Sequence, residues 1–564
     1  MQKTQGQSMV ISASAVQGQY VDRHGEKIKV PTSVQRAVAQ LLDDAYGDPL
    51  SLELDQETGG RPLARRRRWG VHLQLAPLVD DSTWGSGDYG SLRRLGLRAA
   101  ADGADFVAIG PTNWEAVGFG GQIDPSPYSP VSRFLHSLRY VEVPAVIGWD
   151  SLQIADREEL SRRGAQLNIS SRNGRADLSV VKLKAEALRR IFVQHKPLRS
   201  ETNVDSLETL LASALLRYLR RMGAEQIYLG SLDEPQKLEF MVWSQRILRS
   251  QLAAIDRVLR AAGMDIGVVG DLQVGSSRDG IDHEVFAGCY CRDLSIGTPP
   301  DDYVPDGQDW QLAFPVPHSD RRRACAQTLA LAYGVAPVGG LRIDHVLGMQ
   351  RLWARLPGGA GTYVNYDIEN QMRAVREVVE RGKLIVGEDL GNVPPGFRES
   401  LKENGVLGTD VVWWARGSDG SLRTGLTTEG REESMLLTAF HDTSSTARFI
   451  TGDDLRLLDR KGRLGKDLKR AEEQRLVDLA ELGVGPTSSI AEAIYSIYAF
   501  AFSSRPDLVS IYYPDFLGLA CTENVPGTGP EEYPNWVLTY GDPMLSIEEQ
   551  LGGQLAQRLL SLER

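Results

Sequence analysis

Cysteine is scarce: 564 residues contain four, Cys289, Cys291, Cys325 and Cys521, with no C-x-x-C spacing. That rules out a disulfide framework, and the lack of a Cys/His cluster around Cys289 and Cys291 argues against a zinc site there. Basic charge is also short. Lys and Arg number 63 against 74 Asp and Glu, a net charge of −11, where a chain serving nucleic acid needs a basic footprint. No apolar run approaches the ~18 residues of a membrane span. The opening MQKTQGQSMVISASAV lacks the charged and then apolar regions of a signal peptide. The Walker-type phosphate loop is missing too: no G-x-x-x-x-G-K-[ST] occurs. What remains is a reduced, soluble, cytoplasmic protein without a nucleic-acid, membrane, metal or cofactor partner. Neutral polar substrates stay open.

Apolar residues at 42% and charged residues at 24% are ordinary for a globular protein with a large core. Eight short β-rich apolar runs recur, at 70–78, 104–110, 265–271, 339–344, 383–388, 408–414, 435–441 and 508–513. Helical stretches separate them. Leu207, Leu210, Leu211, Ala214, Leu215 and Tyr218 follow a helical period up to Gly223, and residues 236–262 carry a longer one. Near-continuous apolar strands alternating with helices predict a parallel sheet covered by helices. Eight such units predict an α/β fold of the (β/α)8 TIM-barrel type rather than an open sheet. The long stretch between the second and third runs, about 111–262, is too long for a loop and predicts an inserted helical subdomain. Residues 1–60 read as a small appendage to a catalytic barrel over 61–564. The basic run Arg65 to Arg68 reads as a solvated lead-in to the first strand.

Reactive groups in such a barrel project from the C-terminal strand ends. The polar residues there are Asp271, Arg342, Asp344, Glu388, His441 and Asp442. Arg342 and Asp344 are two apart, so they share a face, and the arginine keeps the aspartate ionised. Glu388 and Asp389 are neighbours, and spacing does not say which one enters the barrel mouth. Carboxylates on separate strand ends fit glycoside chemistry, one protonating the leaving oxygen and another attacking the anomeric carbon. Strand-end salt bridges fit the same pattern equally well, and a divalent-metal hydrolase fits it less.

The segments that hold these residues resemble the amylomaltases, the 4-α-glucanotransferases of glycoside hydrolase family 77. GLRIDHVLGMQRLW (340–353) is similar to that family's nucleophile strand, IVGEDLGNVPPGFR (385–398) to its acid/base strand, and FHDTSST (440–446) to the segment of its third carboxylate. WGVHLQL (69–75), WGSGDYGSL (84–92), SPYSPVSR (126–133), GDLQVG (270–275), GTPPD…GQDW (297–310), TYVNYDIEN (362–370) and NVPGTGPEEYPNW (524–536) follow in family order. YVDRHGEKIKV (20–30) resembles the family's N-terminal stretch, while the long β-rich N-terminal domain of larger members has no counterpart before Trp69. The resemblance implies Asp344 as nucleophile, Glu388 as general acid/base and Asp442 as the group gripping the sugar's 2- and 3-hydroxyls. It further implies that Arg342 holds the nucleophile charged, His441 bonds the same sugar, Asp271 orients the site, and Tyr128 lines the groove.

The expected reaction is retaining transfer of α-1,4-glucan segments from a maltooligosaccharide donor to the 4-hydroxyl of glucose or another sugar. Two alternatives are a hydrolase and a transferase specialised for a non-glucan acceptor. The chain departs from the family pattern at Ser444, where proline is common, at Ala313 to Val316 (including Pro315), where an aromatic is common, and at His136, where asparagine is common. These departures predict altered subsites around intact carboxylates. His24, His72, His195, His283 and His318 are scattered singly and read as structural or solvated, with His72 and His283 the candidates for a ligand contact. Cys325 reads as a buried helix residue. Of Trp413 and Trp414, at least one is expected in the core.

Overall fold

The computed structural model describes residues 15–22, 25–45, 66–195, 206–300, 306–317, 325–464, 467–529 and 531–562. His24, His318, Arg65 and the side chain of Cys325 lie outside the described residues. Eight parallel strands run in chain order: β1 (Arg68–Leu73), β2 (Phe106–Ile109), β3 (Gly267–Leu272), β4 (Gly340–Ile343), β5 (Leu384–Gly387), β6 (Gly408–Val411), β7 (Ser434–Leu437) and β8 (Leu508–Tyr512). Their hydrogen-bonded order is β5-β4-β3-β2-β1-β8-β7-β6. The seam between β5 and β6 closes through a parallel bridge from Val386 to Leu407, with Gly387 N–H donating to Leu407 O at 2.7 Å. This is the (β/α)8 barrel. β5, β7 and β8 are buried along their whole length, as strands covered on both faces must be.

The run Arg66 to Arg68 is more than a solvated lead-in. Arg66 pairs with Asp105 and Asp265, and Arg68 with Asp265 at 3.1 Å. Asp105 stands one residue ahead of β2 and Asp265 two ahead of β3, so these ion pairs tie three strand starts together at the base of the barrel.

Between β2 and β3 stand helices over Ile154–Ser171, Ser179–His195, Leu207–Arg221 and Glu225–Leu229, then a helix of 28 residues, Glu234–Ala261. Ser206 caps the Leu207 helix, which buries Leu211, Ala214, Leu215 and Tyr218, the stripe legible in the sequence. A second sheet was not legible. It is antiparallel, with strands Gly361–Asn365, Arg351–Arg355, Tyr290–Thr298 and Gln308–Pro315 in that order. Leu294, Ile296, Leu312, Phe314, Leu352 and Val364 form its core together with Val38 and Leu42 of the helix Thr32–Ala45.

The inserted helices are anchored by one buried cation. Lys184 Nζ donates to Asp88 Oδ2, Arg139 O and Val141 O, each at 2.8 Å, so its three protons are all used. Asp88 Oδ1 meanwhile caps the helix Tyr89–Ala101 through Gly90 N and Ser91 N, and Ser91 returns a bond to the cap backbone. Removing the ammonium leaves the buried Asp88 carboxylate without its counter-charge and takes the donor from its Oδ2 and from two carbonyls, a loss of about 3–5 kcal/mol. Lys184→Met is therefore expected to lower the urea midpoint sharply. A loss below about 1 kcal/mol would show that the surroundings repair the gap, against this account.

Candidate active site

The parallel register of β3 and β4 sets Arg342 opposite Asp271. Arg342 Nη1 donates to both oxygens of Asp271, at 2.9 Å each, and to Asp344 Oδ1 at 3.1 Å. One guanidinium nitrogen therefore serves two carboxylates. Burial opposes the charge on Arg342, but Asp271 and Asp344 outweigh it and keep the group ionised far above any working pH. Burial pushes the Asp271 carboxyl up, against the pull of Arg342.

The chain of bonds continues across the mouth. Tyr128 Oη donates to Asp271 Oδ2 at 2.8 Å and lies 2.9 Å from His441 Nδ1. With the hydroxyl proton committed to Asp271, His441 Nδ1 is the donor in its contact. His441 Nε2 faces Asp442 Oδ2 at 3.4 Å. Burial works against protonating this ring, but Asp442 outweighs it and holds the pKa above its ordinary value. Asn524 Nδ2 donates to Asp442 Oδ1 at 2.7 Å. The rings of Tyr128 and His441 stack with centroids 4.0 Å apart, and Trp536 packs 5.3 Å from Tyr128.

Glu388 follows β5. Its Oε2 accepts the His345 N–H at 3.0 Å and its Oε1 accepts the Leu390 N–H at 2.8 Å. His345 has φ 46° and ψ 58°, a left-handed conformation that costs a side-chain-bearing residue roughly 1–2 kcal/mol. That turn aims its N–H at the carboxylate. Desolvation in the cleft raises Glu388 to about 7, with Asp344 adding to it and Arg342 opposing. Asp389 is different in kind. It is fully buried and accepts bonds from Arg398 Nε at 2.9 Å, Arg431 Nη2 at 2.9 Å and Thr409 N at 2.9 Å. The neighbouring carboxylates thus divide: Glu388 lines the cleft and Asp389 is a structural ion-pair partner.

Tyr128, Arg342, Asp344, Glu388, His441 and Asp442 line one open cleft of about 1660 Å³; Asp271 lies directly beneath it on Arg342. Asn524, Trp536 and Trp310 also line it. They stand inside the NVPGT…YPNW and GQDW segments, yet no residue-level signal marked them in the sequence. Trp413 is buried and stacks on Phe449 at 3.5 Å, whereas Trp414 is 53% exposed and lines the cleft.

None of the departures from the family pattern lines this cleft. His136 is buried with its Nδ1 at 3.0 Å from Thr112 Oγ1 and 3.3 Å from Tyr89 Oη. Ala313 to Val316 are buried in the second sheet, and Ser444 Oγ bonds Thr522 Oγ1 at 2.5 Å. His72 and His283 also lie away from the cleft lining. Both ring nitrogens of His72 are occupied, by Ser510 Oγ at 2.9 Å and Ala439 O at 2.7 Å. Burial lowers both histidines to about 4.

The sequence model of glycoside hydrolase family 77, 4-alpha-glucanotransferase, matches residues 73–217 and 216–542. The chain belongs to this family. A 4-alpha-glucanotransferase of Mycobacterium tuberculosis (strain ATCC 25618 / H37Rv) is 31% identical over 532 residues, which span 86% of this chain and 73% of the relative. One from Haemophilus influenzae is 28% identical over 579 residues, spanning 90% of this chain and 80% of the relative. The crystal structure of amylomaltase from Corynebacterium glutamicum shares the fold, with a TM-score of 0.85 at 22% identity over 99% of both chains. No helix among the described residues of this family 77 member is long and apolar enough to cross a membrane.

The raised pKa of Glu388 has a stability consequence. Between its ordinary value of 4.5 and its folded value of about 7, the native state holds a proton that the unfolded chain has released. Stability from this group therefore falls as pH rises through that window, and the loss is complete above it. Glu388→Gln carries no such penalty. Its melting temperature relative to wild type is expected to climb between pH 5 and pH 8. A difference that stays flat with pH would contradict the raised pKa.

Proposed function

We propose that this family 77 glucanotransferase moves α-1,4-glucan segments by a double displacement in which Asp344 is the nucleophile, Glu388 the acid/base and Asp442 the clamp on the donor sugar. The observation that carries this reading is the contrast between two carboxylates in one cleft. Asp344 sits on the Arg342 guanidinium, while Glu388 is held only by two backbone N–H groups and, raised to about 7 by desolvation, retains a proton to give. Environments that pull two carboxyls apart assign the acid and the nucleophile.

In the first step Glu388 protonates the glycosidic oxygen while an Asp344 oxygen bonds to the anomeric carbon and the glycosidic C–O bond breaks. The leaving segment departs with a free 4-hydroxyl, and the donor sugar remains as an ester on Asp344. In the second step the Glu388 carboxylate takes the proton of an acceptor 4-hydroxyl, whose oxygen attacks the same carbon and expels Asp344. Two inversions restore the α configuration. Asp442, held by Asn524 and His441, is placed to bind hydroxyls of the donor sugar in both steps.

Water competes for the ester. A bound acceptor prevails only if its hydroxyl is oriented, since held groups reach effective molarities of roughly 10⁵ M or more. The long walled cleft, with Trp310 and Trp414 lining it, supports sugar chains held in place on either side of the reacting bond. Glucose and maltooligosaccharides are the proposed acceptors, because the family departures that would have favoured a specialised one lie outside the cleft.

With maltotriose the enzyme is expected to produce glucose and a ladder of longer maltodextrins at nearly constant total reducing ends. Asp344→Asn and Glu388→Gln should each cut turnover by about 10²–10⁴-fold or more with glucan binding kept. Reducing ends that rise in step with substrate loss would mean hydrolysis. Products that appear only when a non-glucan acceptor is supplied would mean a specialised transferase.

A further inference from the structure

The residues ahead of the barrel reach the cleft. Gln19–Val21 pairs antiparallel with Lys27–Lys29, and Val16 bridges to Val364 on the second sheet. Tyr20 anchors the pair, packing edge-on against Trp353 at 5.1 Å and Tyr363 at 5.8 Å. Immediately after this strand, Asp22 lines the same cleft as Asp344 and Glu388, together with Gln308, Arg351, Tyr363 and Asn392. Asp22 Oδ1 accepts the Glu26 N–H at 2.8 Å, which fixes the carboxylate against the cleft wall.

This wall is tied to the loop that carries Glu388. Asn392 Nδ2 donates to Val21 O at 2.6 Å, and Arg351 Nη2 donates to Asn392 O at 3.1 Å. Arg351 in turn lies over the Tyr363 ring, 4.2 Å from its centroid. The same loop gives the Leu390 N–H to Glu388. A carboxylate, an amide and a guanidinium around an aromatic ring are the groups that bind the hydroxyls and face of a neutral sugar. The cleft's 1660 Å³ also exceeds the ~300–1,000 Å³ of a small-molecule pocket, so it has room for a chain of sugars.

We propose that the N-terminal strand pair and Asn392 build a remote glucan subsite, in which Asp22, Arg351 and Asn392 bind a sugar several units from the scissile bond. The proposal rests on the glucan-transfer reading above. A sugar seated there adds binding that short chains cannot reach, so long chains are favoured over short ones.

The test is the ratio of kcat/KM for maltoheptaose to that for maltotriose, measured in wild type, Asp22→Ala and Asn392→Ser. The ratio is independent of how much of a variant is folded, because both substrates see the same active fraction. It is expected to fall by at least about fivefold in each variant, mostly through KM for maltoheptaose. A ratio within about twofold of wild type, including a parallel loss on both substrates, would overturn the subsite and leave the strand pair a structural brace. A wild-type enzyme that makes no ladder from either substrate would instead refute the transfer reading itself.

Discussion

The site depends on a single buried guanidinium nitrogen shared by two aspartates. Without Arg342, Asp271 and Asp344 would be like charges on adjacent strands with no cation between them. The sharing follows from strand register, since β3 and β4 pair Asp271 with Arg342 and Asp344 stands two residues further on. From Asp271 the order passes through Tyr128 and His441 to Asp442 and Asn524. A hydrogen-bonded path thus crosses the barrel mouth from β3 to the segment after β8. Each member is oriented by the one before it, so the proposed clamp on the donor sugar and the proposed nucleophile are set by the same network.

The opposite wall is built by different means. Glu388 owes its position to two backbone N–H groups rather than to a side-chain partner, and one of them comes from His345 in a strained left-handed turn. Neutral donors orient the carboxyl without forcing it to ionise. That leaves desolvation as the largest influence on its pKa, which it raises. The contrast between a charge-paired and a backbone-held carboxyl is the physical basis for assigning them different work.

Much of this was legible in the sequence. All eight barrel strands were readable, because strands covered on both faces give short, near-continuous apolar runs that alternate with helical stretches. The second sheet escaped because its strands lack a clean period. Tyr290–Thr298 alternates irregularly between buried and exposed residues, and its pairing with Gln308–Pro315 shifts register twice. Glu388 and Asp389 were indistinguishable locally, since the deciding partner of Asp389 is Arg431, 42 residues away. His136, Pro315 and Ser444 could not be placed from the sequence for a related reason. They lie within or near the motifs in sequence, but their side chains pack into the core, the second sheet and a loop pairing instead of the cleft.

The central claim is that Asp344 carries the sugar between donor and acceptor. It is tested most directly by treating Glu388→Gln with α-maltosyl fluoride and analysing the digested protein by mass spectrometry. Fluoride leaves without needing an acid, so the first displacement proceeds in the variant, while the second lacks the base that deprotonates the acceptor. The account predicts that the peptide containing Asp344 gains the mass of one maltosyl group. An adduct on a different residue, or fluoride release with a β-configured product and no adduct, would contradict it.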